Sequence, residues 1–145
     1  MTTALKLRAL RLLARREYSR PELKERLAVK GASRAEVDPL LDELEALGYL
    51  SNERYARSVV GKKVGQFSRR SIAAALKAKG VASDAVAAAM AEVEIDDAVA
   101  LETLWRRKFG SAPMNEREKA RQVRFLQARG FALSAILKLL RERGG

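Results

Sequence analysis

The chain has no cysteine and no histidine among its 145 residues. Without cysteine there is no disulfide framework, no thiol nucleophile and no cysteine zinc site. Without histidine it lacks the side chain most used to move protons near neutral pH, and the commonest metal ligand. A hydrolase or metalloenzyme would have to work through carboxylates or lysine. Proline is scarce, at three residues, and no stretch alternates at the period of a strand. No apolar run approaches ~18 residues, and arginines interrupt the leucines of residues 1–16, so neither a membrane span nor a signal peptide is expected. The expectation is a cytoplasmic protein with no membrane partner, no metal and no cofactor.

Acid is also missing, but only locally. The formal net charge is +11, which points to a polyanionic partner, most often nucleic acid. Residues 1–50 are nearly balanced, with ten basic and eight acidic side chains. Between Glu53 and Asp84 stand Arg54, Arg57, Lys62, Lys63, Arg69, Arg70, Lys77 and Lys79 with no acid. Between Glu118 and Glu142 stand Lys119, Arg121, Arg124, Arg129, Lys138 and Arg141, again with none. Any one of these side chains could simply solvate a helix face. Solvated helices usually intersperse both signs, however, so two acid-free stretches predict a functional positive surface.

What is present is a pattern stated three times. Lys30-Gly31-Ala32, Lys79-Gly80-Val81 and Arg129-Gly130-Phe131 lie 49 and then 50 residues apart. Four residues before each glycine come Leu27, Leu76 and Leu126; six after it, Val37, Val86 and Ile136; ten after it, Leu41, Met90 and Leu140. Eight before it the pattern gives Leu23 and Ile72 but fails at Gln122, beside Val123. A period of this size marks a repeated supersecondary unit.

Ala, Leu, Glu, Lys and Arg dominate, and everything reads as helix. The expected helices cover about 4–16, 20–30, 34–47, 52–65, 69–79, 84–93, 96–109, 116–129 and 133–143. Ser19-Arg20-Pro21-Glu22 carries the signature of a capping box with proline in the first turn. Ser33–Glu36 and Asn115–Glu118 repeat that logic, while Ser68 and Ser83 are plainer caps. Gly31, Gly48, Gly80, Gly110 and Gly130 read as left-handed helix stops. For the thrice-repeated glycines, turn geometry alone is the expected role.

Val37, Leu40, Leu41, Leu44 and Leu47 form an apolar stripe that Leu23 and Leu27 can cover. Trp105, beside Leu101 and Leu104, reads as core more readily than as a base-stacking platform. The fold class expected is all-α, with three tandem three-helix, helix-turn-helix-like repeats. The domain bounds expected are 1–50, 51–95 and 96–145.

Four segments then carry a resemblance: Ser19-Arg20-Pro21-Glu22-Leu23; Leu47-Gly48-Tyr49-Leu50 with Arg54-Tyr55-Ala56; Ile72 through Leu76 to Lys79-Gly80-Val81; and Arg124-Phe125-Leu126 through Arg129-Gly130-Phe131. In this order and spacing, over about residues 5–143, the chain resembles the RecX regulatory proteins, bacterial modulators of the RecA recombinase. Ser51-Asn52-Glu53 stands where the family often has an acidic turn, and Asn52 is expected to cap there. Ala128-Arg129 stands where the family often has two arginines.

The resemblance implies an elongated, curved arrangement of the repeats and binding along the groove of the RecA–DNA filament. It implies inhibition of RecA's ATPase, strand exchange and co-protease activities, within homologous recombination, DNA repair and the SOS response. The partners implied are the RecA filament and, weakly and without sequence preference, single- and double-stranded DNA. Monomer is the default expectation.

The residues expected to bind RecA or DNA are Arg57, Lys62, Lys63, Arg69, Arg70, Lys77, Lys79, Arg106, Arg107, Arg121, Arg124 and Arg129. Arginine suits bidentate carboxylate or phosphate recognition, and lysine acts as a point charge. Two other classes stay open. One is a helix-turn-helix protein acting directly on duplex DNA, disfavoured by few Asn and Gln for reading adenine edges. The other is a nucleic-acid enzyme built on Asp96-Asp97 with Glu92 and Glu94, residues whose capping and dipole roles suffice to explain them.

Overall fold

A computed structural model describes residues 2–29 and 31–144 of the chain; Lys30, the base of the first basic–glycine pair, lies outside the described residues. Among those residues there are nine helices and no strand: α1 Thr2–Arg15, α2 Arg20–Ala28, α3 Arg34–Ala46, α4 Asn52–Lys63, α5 Arg69–Ala78, α6 Ser83–Ala91, α7 Asp97–Lys108, α8 Glu116–Ala128 and α9 Leu133–Gly144. Every bound falls within two residues of its sequence expectation. The all-α, three-by-three organisation is what the sequence predicts.

The start signals work in different ways. Ser19 forms the full capping box: its Oγ accepts from the Glu22 N–H at 3.2 Å, and Glu22 Oε1 accepts from the Ser19 N–H at 3.1 Å. Asn115 Oδ1 accepts from the Glu118 N–H at 2.9 Å, while the Glu118 carboxylate reaches back to the Met114 N–H rather than to that of the cap. Three expectations need correction. Ser33 makes no side-chain cap bond, because its hydroxyl donates to the Glu36 carboxylate at 3.2 Å. Ser83 is already the first residue of α6, and Ala82 supplies the carbonyl that the Val86 N–H meets. Asn52 is the first residue of α4 and its Oδ1 is buried without a partner; Ser51 caps instead, accepting from the Arg54 N–H at 3.1 Å.

The repeat positions are core positions. Leu27, Leu76 and Leu126 are fully buried, as are Leu41 and Ile136, with Val37, Val86, Met90 and Leu140 nearly so. Leu47 is the exception in its stripe: it sits past the end of α3 and is 57% exposed. The broken position is also explained. Gln122 is buried, and its Oε1 accepts from the Trp105 indole N–H at 2.9 Å while its amide donates to the Ser111 carbonyl at 3.2 Å. A buried tryptophan needs an acceptor for its N–H, so the third repeat exchanges an apolar side chain for an amide. Trp105 is core, as expected, inside the cluster of Leu101, Leu104, Leu126, Phe131, Ile136 and Leu140.

Two compact units emerge: residues 1–59 with 76–89, and residues 60–75 with 90–145. The middle repeat is thus shared between them. In the first unit, α1, α2 and α3 enclose Leu5, Ala9, Tyr18, Leu23, Leu27, Val37, Leu40, Leu41 and Leu44. The second unit holds α7, α8, α9 and the α4–α5 connection.

The repeated glycines carry more than turn geometry, which corrects the sequence reading for two of the three. All three have left-handed φ, at 89°, 81° and 92°. A Cβ on Gly31 would meet nothing within 4 Å. On Gly80 it would stand 2.6 Å from Pro21 Cγ, and on Gly130 2.4 Å from Ser68 Oγ and 2.6 Å from Ser71 Cβ. Each of these two glycines lets the first turn of another helix, α2 or α5, press against its backbone. Beside Gly130, the Ser68 N–H donates to the Arg129 carbonyl at 2.9 Å.

Candidate polyanion-binding surface

Charge balance separates the two units. In the first, cations are matched with acids: Lys6 with Glu43 at 2.5 Å, Arg20 with Asp42 at 2.9 Å and Glu45 at 2.5 Å, Lys24 with Asp38 at 3.0 Å. The Glu45 hydrogen bond raises the Arg20 pKa against the opposing effect of burial. Arg54 is used structurally: it bonds Glu17 at 2.9 Å and the carbonyls of Gly48 and Tyr49 that follow α3.

A half-buried anion sits at the start of α2. Burial alone would raise the Glu22 pKa, but the Ser19 N–H, Arg16 and Lys79 outweigh it and hold the carboxylate below its ordinary range. The nearby Tyr55 phenol is raised, by burial first and then by Glu22. Lys79, one of the expected contact residues, is 3.5 Å from Glu22. Lys77, in the last turn of α5, and Arg57, in α4, also belong to the first unit and are exposed.

The other nine expected residues, Lys62, Lys63, Arg69, Arg70, Arg106, Arg107, Arg121, Arg124 and Arg129, all fall in the second unit. Arg106 is paired there, 2.9 Å from a Glu102 carboxylate that also takes Arg143. Among the described residues the remaining eight have no acid within ion-pair distance. Arg69 opens α5, and its backbone N–H donates to Asp97 at 2.9 Å; Asp96 caps α7 through the N–H groups of Ala98 and Val99. Asp96 and Asp97 therefore do the capping work expected of them.

Arg129 is the most constrained of these cations. Its guanidinium lies 4.7 Å from the Phe67 ring centre and 5.0 Å from that of Phe125. The Lys63 ammonium is 4.2 Å from the Phe67 centre, and that of Lys108 is 5.1 Å from the Phe125 centre. Phe109 meets Phe125 edge to face at 5.6 Å. The result is a row of alternating cations and rings, Lys63–Phe67–Arg129–Phe125–Lys108, in which each ring steadies two charges by ~0.5–1 kcal/mol apiece. Arg107, Lys108, Phe125 and Arg129 line a groove of about 380 Å³ with Gln66 and Leu104. Further along α8, Arg117, Arg121 and Arg124 line a second concavity of about 460 Å³ with Asn115 and Glu118.

Sequence reasoning missed Phe67, Phe125 and Lys108. The i,i+4 spacings Lys63–Phe67 and Phe125–Arg129 were the available signal. No cluster of His, Cys, Asp or Glu among the described residues could hold a metal ion. No helix among them is long and apolar enough to cross a membrane.

Comparison with known proteins agrees with this architecture. Family models described as the first, second and third three-helix domains of RecX match residues 6–44, 51–90 and 95–140. The regulatory protein RecX of Leptothrix cholodnii is 41% identical over 138 residues, covering 95% of this chain and 88% of that one. That of Chromobacterium violaceum is 42% identical over 137 residues, covering 94% and 89%. The crystal structure of RecX from Lactobacillus salivarius superposes with a TM-score of 0.69 at 17% identity, covering 99% of this chain and 96% of that one, which speaks to the fold. Three domain matches in order, nine helices among the described residues and relatives matched over most of their length converge: the chain belongs to the RecX family of regulatory proteins.

Proposed function

We propose that this chain is a negative regulator of RecA that binds in the groove of the RecA–DNA filament and restrains its ATPase, strand-exchange and co-protease activities. The observation that carries the reading is the uneven neutralisation of charge. The first unit pairs many of its cations internally, whereas eight of the expected contact residues in the second have no acid partner among the described residues. Unpaired arginines and lysines cost little to bring against phosphate or carboxylate, since no existing ion pair must first be broken. A RecA–DNA filament offers both chemistries. Linked modules, each of modest affinity, gain from a high effective concentration on a repeating partner. Regulation of this kind needs no catalytic group, in keeping with a regulatory rather than an enzymatic family.

Arg69 and Arg70 open α5, where a negative side chain is tolerated by the helix dipole. The double reversal R69E/R70E is therefore expected to leave the folding transition in place while abolishing inhibition of RecA-driven strand exchange. A folded R69E/R70E protein that inhibits as well as the unmodified chain defeats the proposal.

A further inference from the structure

Resting on that reading, we propose that the α7–α8 face of the second unit is the nucleic-acid contact: a clamp for the phosphodiester backbone of a single strand, with Arg129, Arg107 and Lys108 as its phosphate ligands. Three observations meet there. First, the cations converge on a concave groove rather than a flat face, and Gln66 is its only uncharged polar side chain. Second, aromatic rings interleave with the cations. Phe67 and Phe125 both lie against the Arg129 guanidinium, and each also lies against a lysine, Lys63 or Lys108. A guanidinium already ordered by packing loses less freedom when it binds. Alternation of charge with aromatic surface is also the usual make-up of single-strand grooves.

Third, the positive strip is linear. Arg117, Arg121 and Arg124 share one face of α8 at steps of four and three residues, and Arg129 stands at the helix C-cap. Twelve residues of helix extend roughly 18 Å. Each nucleotide of a strand contributes one phosphate, so a span of this length can face several in succession. An acidic patch on a protein surface offers no such regular line of charge. Glu118 is the one acid lining the strip, and its carboxylate is turned back onto the Met114 N–H at 2.8 Å.

The test uses the purified full chain without RecA and a fluorescein-labelled oligo-dT of 20 nucleotides, read by anisotropy across a salt series. Loss of two phosphate contacts in R107A/K108A should flatten the plot of log affinity against log salt by about 1.4. R11A/R15A removes the same charge from exposed positions of α1 and should leave the slope close to that of the unmodified protein. F67L keeps every charge but removes the ring beside Arg129, and should weaken binding about two- to fivefold with the slope unchanged.

Thermal melts establish that each variant is folded. Equal slopes for R107A/K108A and R11A/R15A overturn the proposal. So does a folded R107A/K108A that binds oligo-dT normally but no longer binds RecA, because the groove would then serve an acidic protein surface. Loss of oligo-dT binding with RecA inhibition absent even in the unmodified chain would support the clamp and refute the regulatory reading, so the two stand or fall separately.

Discussion

Replacing Gly130 by alanine isolates the second role that the structure gives this residue. Gly31 is the internal control: its φ of 89° is close to the 92° of Gly130, but a Cβ there meets nothing within 4 Å. Left-handed backbone costs an L-residue about 1–2 kcal/mol, and alanine returns about 0.4–1 kcal/mol by restricting the unfolded chain. G31A should therefore cost about 1 kcal/mol. G130A adds a collision, with the new methyl 2.4 Å from Ser68 Oγ and 2.6 Å from Ser71 Cβ. Ser68 immediately precedes α5 and Ser71 lies in its first turn, so this end of the helix must retreat and stretch the 2.9 Å bond from the Ser68 N–H to the Arg129 carbonyl. Ser68 is only 2% exposed, and leaving a buried group unpaired costs about 1–3 kcal/mol. The total for G130A is then about 2–4 kcal/mol. At ~2–4 °C per kcal/mol for a chain near this size, G31A should melt ~3 °C and G130A ~10 °C below the unmodified protein. Circular dichroism at 222 nm, followed with temperature and with urea, reads both. Equal losses for G31A and G130A refute the close-approach argument.

Two further outcomes follow from single side chains. Q122L restores the apolar pattern of the repeat yet should destabilise by about 1–3 kcal/mol, because the Trp105 N–H and the Ser111 carbonyl lose their partner; urea titration of Q122L, W105F and the double variant should show strong coupling, and additive losses would contradict the pairing. The Glu22 carboxylate has a lowered pKa in the folded chain, so its contribution is fully present above the ordinary glutamate pKa and is lost as pH falls through the lower folded value. E22Q should accordingly be less stable at neutral pH, with the gap in melting temperature closing as the solution is taken below pH ~4; a gap that persists or widens in acid would contradict the assignment.

Helix limits were legible because their signals are local. Ser19 with Pro21 and Glu22, or Asn115 with Glu118, announces a start within four residues, and the glycines announce the stops. Burial was legible where it repeats, as at Leu27, Leu76 and Leu126. The failures involve partners distant in sequence. Gln122 broke the pattern visibly, but its reason, Trp105, lies seventeen residues away on another helix. Nothing near Gly130 in sequence reveals that Ser68 presses on it. At the candidate surface, the acid-free stretches took in Arg54 and Lys79 of the first unit together with cations of the second, and sequence alone could not distinguish Arg106, paired with Glu102, from its neighbour Arg107. The row through Phe67 and Phe125 was half visible as i,i+4 pairs; that Arg129 reaches both rings is a tertiary fact.

The most direct test of the proposed regulation is RecA's DNA-dependent ATPase, titrated with this chain at fixed RecA and single-stranded DNA. Binding along the filament or at its end predicts inhibition at well below one copy per RecA protomer. An ATPase rate unchanged by excess protein would contradict the proposal.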